Sequence, residues 1–110
     1  MNTDLEDLVE IITRQCEDEE GFINHLHTRN HFDALHWQIF VGALEKYALA
    51  VHGDAVVDRR VSGAVFFAYQ IISNAMAHHS LVKGPMYELL LQAHPRIWEL
   101  VEEIISGKTP

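Results

Sequence analysis

One cysteine, three prolines and eight basic residues are spread over 110 positions, and each shortage excludes a class of protein. A lone thiol, Cys16, cannot close an intrachain bridge, so a disulfide-stapled secreted scaffold is ruled out and a cytoplasmic setting is expected. The six glycines stand apart from one another and spell neither G-x-G-x-x-G nor a Walker loop, which removes nucleotide binding through those cradles. H-E-x-x-H and G-x-S-x-G are both missing, so no enzymatic motif is found and no cofactor is expected. The first ten residues hold four acids where an export signal needs positive charge, so no export signal is expected. Residues 61–77 are uncharged, but Ser62, Gln70, Ser73 and Asn74 interrupt them and the stretch is short for a span, so it reads as a core helix and no membrane partner is expected. Beyond Arg59 and Arg60 no basic cluster exists, and direct nucleic-acid contact is not expected either.

What is plentiful is acid and apolar surface. Apolar residues make up 48% of a chain whose length suits one core, so residues 1–110 are expected to form a single helical domain. Sixteen acids against eight bases leave a net charge of -8, and its distribution is lopsided. Residues 1–20 hold one base and eight acids, a net of -7, while the remaining ninety are close to balanced. Such a field steers basic partners and repels phosphate. The competing explanation is local: acids in the first turn of a helix complement its dipole, and both acidic clusters lie where helices are expected to begin.

Apolar spacing of three and four residues recurs throughout, and no stretch alternates long enough for a strand. The expected fold is all-α, five or six helices around two central apolar ones. Thr3 to Glu6 has the form of a capping box ahead of Leu5, Leu8, Val9, Ile12 and Cys16. Asp18 is expected to cap a short second helix with Phe22, Ile23 and Leu26. Asn30 is expected to cap a long third, stopped by Gly53, with Phe32, Leu35, Ile39 and Ala43 on one stripe and Trp37, Phe40, Val41, Leu44, Ala48 and Val51 on another. A fourth helix, started by Asp54 or Asp58, carries Val61, Ala64, Val65, Ala68, Ile72 and Ala75. Pro85 opens a fifth, and His94-Pro95 is expected to separate it from a sixth with Ile97, Leu100, Val101, Ile104 and Ile105, ahead of a loose end at residues 108–110.

Histidine is over-supplied, with eight residues of which four fall between 25 and 36. His25, His27, His31 and His36 are the candidate ligands of a metal or haem, against the simpler expectation that all eight flank helices as ordinary side chains. Asp33 and His36 have the three-residue spacing of a di-iron motif, but no second motif accompanies them. Three functional expectations follow. The first is an acidic protein of the immunity or inhibitor type, covering a basic partner such as a nuclease or other toxin through Asp7, Glu10, Glu17, Asp18, Glu19 and Glu20. The second is the histidine site. The third is a homo-oligomeric adaptor that pairs Tyr87, Leu90 and Leu91, or Ile97 and Val101, with its own copy.

Overall fold

Val9, Ile12 and Cys16 recur on one side of helix α1 (Asn2–Glu17), and the same logic builds every element that follows. The computed structural model describes residues 2–52, 56–79 and 84–107, with side chains from residue 4 onward. Within them the chain is all-helical: α1, the two-turn α2 (Phe22–Arg29), α3 (Ala34–Val51), α4 (Arg59–His79) and α5 (Pro85–Ile105). The body is four long helices, with α2 packed against α1, α3 and α4. Among the described residues there is no strand.

Side-chain contacts set the directions. Gln15 near the end of α1 meets His36 near the start of α3, so these two run antiparallel. Arg60 reaches Glu6 while Ala64 meets Cys16, so α4 follows α1 in the same direction. Tyr69 and Ser73 of α4 meet Trp98 and His94 of α5, an antiparallel pair and the most extensive packing in the molecule. Arg96 of α5 grips Glu45 of α3 at 2.6 Å, and a groove joins Trp37 to Leu89, so α3 and α5 run together. The square that results places α1 beside α3, α3 beside α5, α5 beside α4 and α4 beside α1.

That arrangement corrects the expectation of two central apolar helices with the others around them. Helices α3 and α4 lie on a diagonal, with no close backbone approach among the described residues. An apolar helix needs neighbours on its greasy faces, not one equally apolar neighbour, and α1 and α5 serve both. One expected stripe of α3 holds only in part: Phe32 and Ala43 are buried but Leu35 and Ile39 are exposed, while Phe40, Val41, Leu44, Tyr47, Ala48 and Val51 are buried. In α1, α2 and α4 the expected core positions are buried or half-buried.

The sixth helix does not exist. Helix α5 passes through Pro95 without a break. Proline removes one backbone donor, which frees the carbonyl of Leu91 one turn earlier. Both residues are exposed, so water can hydrate that carbonyl, while Leu90, Ala93, Ile97 and Leu100 keep the two halves fixed to the core. A fully buried side chain of this size contributes about 1.5–3 kcal/mol, enough to offset the interruption.

The caps differ from expectation at two helix starts. Gly21, not Asp18, precedes α2 and offers no side chain. Asn30 ends α2 in the left-handed region at φ 53°, a conformation asparagine tolerates, and Asp33 caps α3 by accepting from His36 N at 3.0 Å. Asp58 does begin α4, accepting from Arg60 N at 2.8 Å, and the Arg60 guanidinium beside it holds its carboxyl below the usual range. The side chain of Thr3, the stop at Gly53, the alternative start at Asp54 and the end at 108–110 lie outside the described residues.

Gly21 is required for space. A Cβ there would sit 2.7 Å from the carbonyl oxygens of Arg14 and Gln15, which are backbone and cannot yield cheaply. Gly21→Ala is expected to destabilise the fold by about 1–3 kcal/mol in urea titration. Gly42→Ala, whose Cβ would meet nothing, serves as the control and leaves stability unchanged or slightly raised.

Candidate functional site at the α2 end of the bundle

The turn from α1 into α2 is fixed by bonds to the backbone. Asn24 Nδ2 donates to the carbonyls of Glu17 and Asp18 at 3.1 and 2.7 Å, supplying partners for carbonyls that the end of α1 leaves free. Gln15 is buried, and its Oε1 accepts from Phe22 N at 2.9 Å. The same oxygen lies 3.1 Å from His36 Nδ1. Because the Phe22 amide is a donor, it pins oxygen rather than nitrogen at that point, and His36 must then present Nδ1–H.

Six of the eight histidines gather at this end of the bundle: His25 and His27 on α2, His31 after it, His36 in the first turn of α3, and His78 and His79 in the last turn of α4. The expected ligand set divides. His25 and His31 converge, with ring centroids 5.8 Å apart, and Asp33 joins them, so that one ligand atom from each of the three lies within 4.8 Å of the other two. His36 stacks on His25 at 6.2 Å and 14° but turns its Nδ1 to Gln15. His27 faces elsewhere, into a groove shared with Asn30, Ile71, Asn74 and His78. Asp33 had no place among the expected ligands. Its signal was the three-residue spacing to His36, which marks an N-cap here.

His25 is the least comfortable member. Its Nε2 lies 3.2 Å from Glu20 Oε2, an atom that only accepts, and this shorter contact of the two on Nε2 favours the proton there. Arg29 Nη1 at 3.3 Å then has no acceptor on that ring, and the guanidinium is answered by Glu20 Oε1 at 3.1 Å through Nη2. Those bonds from Arg29 and His25 hold the Glu20 carboxyl below its ordinary range. On the far side of the ring, Nδ1 is buried without a hydrogen-bond partner, with Asp33 Oδ2 at 3.9 Å. An orphaned buried polar atom costs about 1–3 kcal/mol.

The six acids expected to recognise a partner are all exposed. Glu10 is paired with Arg14 at 2.6 Å, and Glu20 with Arg29 and His25. Asp7, Glu17, Asp18 and Glu19 have no salt bridge among the described residues. The capping explanation fails for the second cluster: Glu17 is the last residue of α1, and the first turn of α2 contains no acid. No side chain of 17–20 accepts from an α2 backbone N–H among the described residues, since Phe22 N is taken by Gln15.

Of the residues expected to pair with a second copy, Leu90, Ile97 and Val101 are buried in this chain's own core, while Tyr87 is half-buried and Leu91 exposed. Cys16 is buried against α4, its thiol 3.6 Å from the Ala64 carbonyl, and burial pushes its pKa up to about 12, which removes the thiolate a nucleophile needs. No family model matches the chain, and no curated protein or solved structure is significantly similar to it.

Asp33 carries a separable structural duty. The His36 N–H holds its carboxyl below the ordinary value, so the stabilisation it provides is present above an unfolded pKa of about 3.9 and is lost as pH falls through the lower folded value. Asp33→Ala is expected to cost about 1 kcal/mol in chemical denaturation at neutral pH. Asp33→Asn keeps the cap and is expected to flatten the acid limb of the stability profile.

Proposed function

We propose that the protein is a small acidic binding protein that covers a basic surface on a protein partner, in the manner of an immunity protein or inhibitor acting on a nuclease or other nucleic-acid-binding toxin. One observation carries this reading: Glu17, Asp18 and Glu19 are exposed, unpaired and gathered at the C-terminal end of α1. That end of a helix already carries about half a negative charge, and an added carboxylate there is unfavourable by roughly 0.3–1 kcal/mol. Asp18 and Glu19 also stand just before α2, whose N-terminal field has the opposite sign, but none of the three side chains accepts from an α2 backbone N–H among the described residues, and a basic partner would answer all three. The turn is also rigidly bonded through Asn24, so little ordering would be needed on binding.

A nuclease surface must be basic to hold phosphate, so an occluding protein of opposite sign gains association rate and selectivity. Asp7 and Glu10 extend the negative surface along α1, and Glu20 contributes through a carboxylate shared with Arg29. The compartment in this reading is the cytoplasm, on the strength of the single, buried thiol. Among the described residues no helix is long and apolar enough to cross a membrane.

The test is a parallel pull-down from the native cells at low salt, using the wild type and a Glu17→Gln, Asp18→Asn, Glu19→Gln triple variant. The wild type is expected to retain a stoichiometric basic protein that elutes as salt rises, and the variant to lose most of it. Equal recovery by both baits, or no basic protein on the wild type, contradicts the reading.

A further inference from the structure

The orphaned nitrogen of His25 points to a second kind of ligand, at a cluster that shares Glu20 alone with the acidic surface. With Glu20 favouring the proton on Nε2, the Nδ1 lone pair faces inward, buried, with no donor within reach. Asp33 Oδ2, at 3.9 Å, is within ion-pair distance of it but too far to share a hydrogen bond, so no hydrogen bond reaches the atom. What satisfies a bare imidazole nitrogen, a second imidazole and a carboxylate together is a cation between them.

We infer that His25 Nδ1, His31 and Asp33 form a binding site for a divalent metal ion of the zinc class. Two imidazoles and one carboxylate suit zinc and its late first-row neighbours, and offer too few oxygens for calcium or magnesium. Bonds of about 2.0–2.2 Å in a tetrahedron put ligand atoms roughly 3.3 Å apart, so the present spacing of up to 4.8 Å must tighten. His31 lies on the exposed connection between α2 and α3 and can supply that movement, while His25 and Asp33 are held by Glu20 and by the α3 cap. The Nε2–H to Glu20 bond is the arrangement by which a ligating histidine is normally oriented from behind. Asp33 Oδ1 serves the cap, leaving Oδ2 for the ion. Three protein ligands leave a fourth position, and the exposure of His31 opens it to water.

The experiment is calorimetric titration of untagged protein with zinc chloride at neutral pH. One ion per chain is expected, with His31→Ala and Asp33→Asn each weakening binding by at least about tenfold and Glu20→Gln by about 10–100-fold. Both ligand variants are chosen to fold, since His31 is exposed and asparagine retains the cap. His27→Ala is expected to bind as the wild type does. Zinc should also shift the His25 Nδ1 resonance in the nitrogen spectrum of the unmutated protein. Absence of zinc binding by the wild type overturns the site, as do ligand variants that bind unchanged, loss of binding in His27→Ala, or an unmoved His25 resonance at saturation. The Glu17, Asp18, Glu19 amide variant should bind zinc undiminished, which separates this site from the partner surface.

Discussion

A single buried amide holds the business end of this bundle together. Gln15 projects from α1 into the core, where its oxygen takes the Phe22 amide of α2 and the His36 ring of α3. A buried polar group is tolerated only when bonded, and this one is bonded to two different elements, so it fixes how both meet α1. Phe22 then lies against Phe32, Trp37 and Phe40, with the closest centroids at 5.1 Å, which seats α2 against the start of α3, beside α1 and α4. Everything proposed for this end, the charged turn and the histidine cluster alike, depends on that seating.

Charge and histidine occupy one region because the chain reverses there. The tight turn of residues 18–21 brings Glu20 back over His25, and the second reversal at Asn30 returns His31 and Asp33 to the same ring. Two sequence features that look separate, an acidic run and a histidine run, thus become neighbours through backbone geometry. Their roles differ. Glu17, Asp18 and Glu19 face outward without ion-pair partners among the described residues, while Glu20, also exposed, is paired with Arg29 and His25.

Most of the helices were legible in the sequence, since Val9, Ile12 and Cys16, or Val61, Ala64, Val65 and Ala68, mark buried stripes by spacing alone. Periodicity says which side of a helix is apolar but not which helix covers it, so the diagonal placement of α3 and α4 was out of reach. Leu35 and Ile39 misled because apolar identity does not guarantee burial. Pro95 misled because the penalty for interrupting a helix is local, whereas the packing that offsets it comes from α4. The ligand cluster was half legible: His25 and His31 belonged to the expected set, but Asp33 enters only through the left-handed turn at Asn30. Nothing in spacing distinguishes His27, one turn from His31 by count, from the ligand that actually converges.

The central claim is that Gln15 and Glu20 impose opposite proton positions on two stacked rings. Nitrogen chemical shifts of the imidazoles, recorded on metal-free protein above neutral pH, test it directly. His36 is expected to carry its proton on Nδ1 and His25 on Nε2. Two rings that average between tautomers, or that share the same one, would contradict the account.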